Sequence, residues 1–450
     1  MQIKKVLLFL SLFILNLSFA QEHFSGINIS RRVGILNASF NPAEMTNLSN
    51  TYEVNVFNTS LNVSNNKVSF GDIVNSDKDI EDLIFDGNEA ANMRLDLLVN
   101  GPSFAMKYNK WAFGISTSAV AKANIIDVDV NLGNALTNSG LNSIFGATSV
   151  SSNYNQKINA ATWGEIGLSL ARDIYDTDKY KVSVGTNIRL LFPSSYTNFA
   201  ADKFNGTIVN TAGNLSLTDT QANLNIAYSG PIADGFTDAN NFNDFFSSGI
   251  NGYAVDLGVN FRIKAADNPK DYKFNSGLSI KNIGSMTFKS DNNESSNYNL
   301  NISNTQFLDL NQFENVDNIK DIEQILLSSG YLTKTNDQKD FTIKLPTLFT
   351  AYADLKLAER FYVSAFTQQK LVDDSDNDFS TTQNSITLTP RFSGENYEIF
   401  VPLSDNEISG FTGGFGFRLG GFFMGSGSIL TAMIDDTKQA DVYLGFRIGF

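Results

Sequence analysis

The chain has 450 residues, with 37 Phe, 15 Tyr and 33 Gly against 8 Pro, and a formal charge of −14. That acid excess, without clustered basic residues, repels polynucleotides and excludes nucleic acid as a partner. Cysteine is absent, which excludes disulfides, thiol nucleophiles and anchoring by a lipidated N-terminal cysteine.

In chain order, Lys4 and Lys5 precede an apolar run from Val6 to Leu17, and Ser18-Phe19-Ala20 supplies small residues at signal-peptidase spacing. Residues 1–20 therefore read as a signal peptide cleaved before Gln21. The run is about 12 residues, short of the roughly 20 needed to span a bilayer as a helix. No later stretch reaches that length, so bilayer contact must come from strands. Export without helical spans predicts the outer membrane of a Gram-negative bacterium, with lipid and lipopolysaccharide as surroundings.

The dominant period is two residues. Ile166, Leu168 and Leu170 oppose Trp163, Glu165, Gly167 and Ser169. Val182, Val184, Ile188 and Leu190 oppose Ser183, Gly185, Asn187 and Arg189, and Val255, Leu257, Val259 and Phe261 oppose Asp256, Gly258, Asn260 and Arg262. Such strands run about 11 to 15 residues, long for a soluble sandwich and suited to crossing hydrocarbon at a tilt of about 40°. The fold class is all-β: a transmembrane antiparallel β-barrel over residues 51–450, preceded by a short plug or hatch segment at 21–50.

Turns that read as short lie at Asp173–Lys179, Ala266–Asp271, Ala358–Arg360, Gly394–Asn396 and Gly420–Gly421. Long connections lie at Asp72–Ala91, Asn124–Gln156, Pro231–Ile250 and Met286–Asp340. Walking back from a periplasmic C-terminus puts every short turn in the periplasm and every long loop outside, as bacterial barrels require. The walk gives about 16 strands, with 14 to 18 as the range and 14 itself if the hairpin Tyr196–Ser229 stands outside the membrane. Small helices are expected in the extracellular loops. One combines Val316, Ile319, Ile322, Ile325 and Leu326 with a stop at Gly330, and a second spans Asp77–Leu83.

The terminal strand alternates Phe446, Ile448 and Phe450 with Arg447 and Gly449. As the barrel-closing strand, it would be read by the outer-membrane assembly machinery. The inward polar set Glu165, Arg189, Asp256, Arg262, Arg418 and Arg447 either lines a wet pathway or forms ion pairs that fill the lumen. Asp374, Asp376 and Asp378, beside Asp373, offer alternating carboxylates in an outward loop. They form only a weak calcium candidate, lacking the turn glycine and distal glutamate of known calcium loops. No metal or cofactor is expected. The sole histidine, His23, stands three residues into the mature chain, which leaves the barrel without Ser-His-Asp or histidine-metal chemistry and predicts no enzyme.

The plug segment carries Asn41, Pro42 and Ala43, where proline fixes a turn. With a signal peptide ahead and an aromatic closing strand behind, this order resembles the fatty-acid-transporter-like (FadL/PorV-type) barrels and an uncharacterised Bacteroidota outer-membrane barrel family related to them. The resemblance implies an N-terminal hatch inside the barrel. For transporter-like members it implies a gated conduit for small hydrophobic or amphipathic molecules. For PorV-like members it implies the alternative, a non-conducting barrel serving as scaffold or accessory subunit, with a protein partner in a surface or secretion complex.

Overall fold

The computed structural model describes residues 23–30, 32–75, 77, 83–137, 145–235, 245–266, 271–313, 316–434 and 437–450. The long strands sort their side chains inside out relative to a soluble sheet. In Gly252–Lys264, Leu257, Val259 and Phe261 are exposed while Asp256, Asn260 and Arg262 are buried. Only a wall with lipid outside and a polar lumen inside satisfies both faces.

Fourteen wall strands close the ring among the described residues. β1 is Tyr52–Asn65; β2 runs Ala91–Asn100 and resumes as Ser103–Tyr108; β3 is Trp111–Val128; β4 is Gln156–Asp176; β5 is Tyr180–Thr211. β6 is Gly252–Lys264, β7 is Tyr272–Phe288, and β8 joins Phe341–Lys344 to Leu348–Lys356. β9 is Phe361–Lys370, β10 is Ser385–Ser393, and β11 joins Tyr397–Phe400 to Leu403–Asn406. β12 joins Gly410–Gly413 to Phe415–Leu419, β13 is Phe422–Ser426, and β14 is Gln439–Gly449. Each pairs antiparallel with the next. β14 returns to β1 with Ile448 opposite Val54 and Leu444 opposite Thr59, which leaves the barrel no edge strand to protect.

The expected sixteen thus become fourteen, for the reason foreseen in the hairpin Tyr196–Ser229. The lower half of β5 pairs with β6, whereas its upper half, still paired to β4 as far as Ala201, takes Asn214–Ser229 on its other side. Above the barrel these two carry Phe145–Ser151, Glu294–Ile302 and Leu332–Gln338 as an extension of the same sheet. The helix Ile319–Ser328 packs Ile319 and Leu326 onto the extension's apolar face beside Leu217, Leu224 and Leu300. Gly330 follows at φ +75°, a backbone state glycine tolerates as a helix stop. The expected Asp77–Leu83 helix and the signal peptide at 1–20 fall largely or wholly outside the described residues; a short helix at Phe70–Asn75 stands just before the former.

Connections leaving β2, β4, β6, β8, β10 and β12 gather at one end, the turn end. Those leaving the odd-numbered strands gather at the other, the loop end. Between them, residues 23–30 and 32–50 lie within the ring, almost all buried, and include two 3-10 helices at Gly34–Ser39 and Pro42–Asn47.

Candidate functional site

The Asn-Pro-Ala turn is seated in a notch of the wall made by glycines. Asn41 caps the helix Pro42–Asn47 by accepting from the Ala43 amide at 3.0 Å, and its carboxamide donates to the Val259 carbonyl at 2.9 Å and to Leu278 at 3.3 Å. Gly185, Gly258 and Gly277 stand on three adjacent strands. A Cβ on Gly185 would lie 2.5 Å from the Ala43 nitrogen, and one on Gly277 would lie 2.5 Å from the Asn41 amide nitrogen. One on Gly258 would collide with the Asn41 side chain. Close backbone approach is what requires glycine at these positions.

Glu44 anchors the same helix electrostatically. Its carboxylate accepts from Asn47, Asn260 and Asn275 at 2.8 Å each, accepts from Tyr352, and faces Arg262 at 3.5 Å. Arg262 also donates to Asn275 at 3.2 Å and lies over the Tyr272 ring. A buried carboxylate survives only when hydrogen-bonded this fully. Arg262 is thus a plug contact.

His23 departs from its expected isolation. The chain leads it into the lumen, where one ring nitrogen sits 2.9 Å from the Ser60 hydroxyl and the other 3.2 Å from Asp96. A Ser-His-Asp grouping therefore does form within the barrel. Asp96 is also engaged by Lys122, and Ser60 is sealed in the wall at 2% exposure. The grouping ties plug to wall, with His23 and Asp96 lining the lumen chamber described below.

Glu165, Arg189 and Asp256 come together on β4, β5 and β6. Arg189 reaches Glu165 at 3.1 Å and Asp256 at 3.0 Å, and Trp163 donates to Glu165 at 2.8 Å. This ladder lines a lumen chamber of about 170 Å³. Arg418 and Arg447 lie elsewhere, towards the turn end. Arg418 donates to Glu398 at 2.6 Å, and Glu398 also accepts from the plug residue Ser30 at 2.8 Å and faces Arg391 at 3.4 Å. Arg447 pairs with Glu53 across the β14–β1 seam. Phe446, Ile448 and Phe450 of that seam are exposed on the lipid face.

The acidic loop stands at the loop end with Asp373 and Asp376 exposed, and only the stretch that follows them turns in. That stretch folds inward as a strap across the mouth, with Ser380, Thr381, Thr382 and Gln383 buried. Asp374 meets Lys370 at 2.5 Å and Arg94 at 3.5 Å, and accepts from Thr381. Lys157 donates to the Asp374 and Asp376 carbonyls, the latter at 2.7 Å, and Gln383 reaches Ser64 at 3.2 Å. Although burial opposes it, the Lys370 and Arg94 charges hold the Asp374 carboxyl below the usual carboxylate range. Asp378 is spent on Lys344 at 2.8 Å. Asp374 and Asp378 are thus engaged by basic side chains while Asp376 is exposed, and among the described residues no group of three or more side chains that could hold a metal ion occurs.

A second cavity, about 750 Å³, lies outside the wall at the loop end. Met93, Leu95, Ala123, Ile125 and Ile158 form its floor, on the face of β2, β3 and β4 that bears lipid lower down; Phe204, Leu300 and the helix residues Ile319, Ile322 and Leu326 cover it.

Sequence reasoning missed Glu44, Asp96, Asp354, Arg391 and Glu398. Asp354 and Glu398 carry the inward parity of their strands, a readable signal, whereas Glu44 lies in a segment with no period to read.

These features define an outer-membrane-type β-barrel with a plugged lumen. A model described as "Family of unknown function (DUF5723)" matches residues 42–427, and the chain belongs to that family. No curated protein matches it. Among solved structures it is similar to a TodX monoaromatic hydrocarbon channel deletion mutant, at 9% identity, TM-score 0.44 and coverage of 92% of this chain and 94% of that one. It is also similar to the Ralstonia pickettii toluene transporter TbuX, at 10% identity, TM-score 0.39 and coverage of 93% and 94%. For the Pseudomonas putida toluene transporter TodX the values are 11%, 0.34, 97% and 100%.

Proposed function

We propose that this barrel, placed in the outer membrane with its loop end outward, captures small hydrophobic or amphipathic molecules in the loop-end cavity, in a state where the lumen is closed. The carrying observation is the cavity itself: about 750 Å³ lined mainly by aliphatic and aromatic side chains, with Lys122, Asn124 and Asn159 at its border with the lumen side. Pockets of about 300–1,000 Å³ are the size that encloses a small-molecule ligand. Transfer onward requires displacement of the plug, whose anchors at Asn41, Glu44 and His23 are all made in this conformation. The reading is tested by titrating the purified protein with N-phenyl-1-naphthylamine. Saturable fluorescence that is lost in Ala123→Phe, which fills the floor, is the expected result; a flat titration of the native chain defeats the reading.

A second reading, a non-conducting barrel serving as subunit of a surface complex, is favoured by the density of the plug contacts. Purification from native membranes would return a stoichiometric partner protein under that reading and none under the first.

A further inference from the structure

Two short helices at the loop end sort their side chains as the wall strands do, polar inward and apolar outward. In Ile429–Ala432 the buried residue is Thr431, whose hydroxyl donates to the Ser428 carbonyl at 2.8 Å and accepts from the Gly413 amide at 3.3 Å. Ile429, Leu430, Met433 and Ile434 point away from the protein, Met433 at 75% exposure and Ile434 at 71%. In Phe70–Asn75 the buried residue is Gly71, while Phe70, Ile73 and Val74, spaced three and four apart, share the outer face. The polar side chains of that helix turn back on its own backbone: Asp72 accepts from the Ser69 amide at 2.8 Å, and Asn75 donates to the Gly71 carbonyl at 2.9 Å. A helix lying between protein and water sorts the other way, with its apolar stripe against the protein.

Both helices flank the outer end of the closing seam. The Phe70 amide donates to the Thr437 carbonyl at 2.8 Å and the Asn65 amide to the Lys438 carbonyl at 2.9 Å, so the chain leaving β1 is tied to the chain entering β14. The Lys438 side chain donates in turn to the Asn66 carbonyl at 2.9 Å. β14 is 11 residues long, and a tilted strand crosses the hydrocarbon in about 9–11 residues. Thr437, two residues before β14, therefore stands at the outer boundary of the apolar layer. Leu61 of β1 and Val442 of β14 are exposed on the lipid face just below it. The helices thus continue the lipid-facing stripe of the seam across its outer end.

From this sorting we infer that the two helices form a foot that lies in the outer leaflet and that its occupant is lipid, the acyl chains just beneath the headgroups. Helices with one apolar face bind a bilayer in this way, that face sunk about 5–10 Å into the boundary between headgroup and chain. Lipid is selected over a partner protein because the patch is continuous with a face that already meets lipid and repeats its inverted sorting. The foot fixes the depth of the barrel at its seam, where the first and last wall strands meet. It is independent of the capture of small molecules, since neither helix lines the loop-end cavity.

The test uses the full-length protein in phosphatidylcholine vesicles, with folding scored by its heat-modifiable electrophoretic mobility. Because the chain has no cysteine, Val74→Cys and Met433→Cys each provide a single site for a nitrobenzoxadiazole label. Val442→Cys marks the lipid face of the wall, and Thr211→Cys, exposed at the hairpin tip, marks water. Lipid brominated in the upper part of its acyl chains should quench both helix labels by a fraction comparable with the Val442 label and leave the Thr211 label unchanged. Should Met433→Cys fail to fold, Ile434→Cys serves in its place. Helix labels that keep their emission while the Val442 label loses it overturn the proposal, whether water or protein then covers the helices. A flat naphthylamine titration defeats the capture reading and leaves this one standing.

Discussion

The Asn41 carboxamide donates to the Val259 carbonyl at 2.9 Å, over the hollow left by Gly258. The three-residue turn is therefore read by the wall as a shape, and the wall supplies glycine wherever the turn comes close. Gly258→Ala should push Asn41 off its carbonyl and loosen the plug, at a cost of about 1–3 kcal/mol, typical of overpacking. Limited proteolysis within residues 23–50 reads this directly: faster cleavage is expected in Gly258→Ala than in the control Gly213→Ala. No atom lies near a Cβ at Gly213, although its φ of +91° adds modest local strain at the hairpin tip.

Glu44 provides a second handle on the same segment. Glu44→Ala leaves Arg262 and the Tyr352 hydroxyl without their buried acceptor, a change expected to cost about 3–5 kcal/mol because an uncompensated buried charge remains. Glu44→Ala with Arg262→Met should recover much of that loss, since both charges then go. The temperature at which the folded, heat-modifiable form disappears is the measurement. No recovery in the double variant would show that Arg262 is satisfied without Glu44.

The alternation of Leu257, Val259 and Phe261 against Asp256, Asn260 and Arg262 made the wall legible, because lipid and lumen act on every strand residue with a period of two. The same parity marked Glu165, Arg189 and Asp256 as inward, and the structure joins them. Parity carries no information about which inward residues meet, so Arg262 and Arg418 were grouped with the ladder, although one holds Glu44 and the other Glu398. The inner contacts of the strap are hidden for a related reason. Asp374 looks solvated in one dimension, and only closure of the ring brings Arg94 across the mouth to its carboxylate and Lys157 to the carbonyls beside it, whereas Asp376 is exposed. His23 was likewise set apart by its place near a terminus, whereas the plug's path carries it to Asp96.

At the seam, backbone and side chain make separable contributions. The Phe450 amide donates to the Tyr52 carbonyl at 2.8 Å, and its carbonyl accepts from Thr51 at 3.0 Å, while its ring is exposed to lipid. Phe450→Ala keeps the pairing and removes the aromatic anchor, so partial loss of assembly into the outer membrane is expected. Deleting residues 439–450 exposes the edges of β1 and β13 and should abolish assembly. Quantifying heat-modifiable protein in membrane fractions separates these outcomes; full insertion of the deletion variant would contradict closure by this strand.

The cover of the outer cavity should respond to pH through Glu323. This carboxylate, on the helix Ile319–Ser328, accepts from Tyr298 and from Tyr228, the latter at 3.1 Å, and Tyr228 also donates to Glu294 at 3.1 Å. Burial, followed by the Glu294 charge, raises the Glu323 carboxyl above its ordinary value despite the hydrogen bonds it accepts from Tyr298 and Tyr228. The docked helix therefore holds a proton more tightly than the undocked one. Its contribution to docking is fully present below the ordinary carboxylate range and is lost as pH rises through the raised value. Amide exchange across residues 319–328, corrected for intrinsic rates, should accelerate between a pH below the ordinary carboxylate range and one above the raised value. Glu323→Gln keeps the tyrosine bonds without the charge, so the helix should stay docked at both values. A native helix whose corrected exchange ignores pH, or a Gln variant that still responds, would place the control elsewhere than at Glu323.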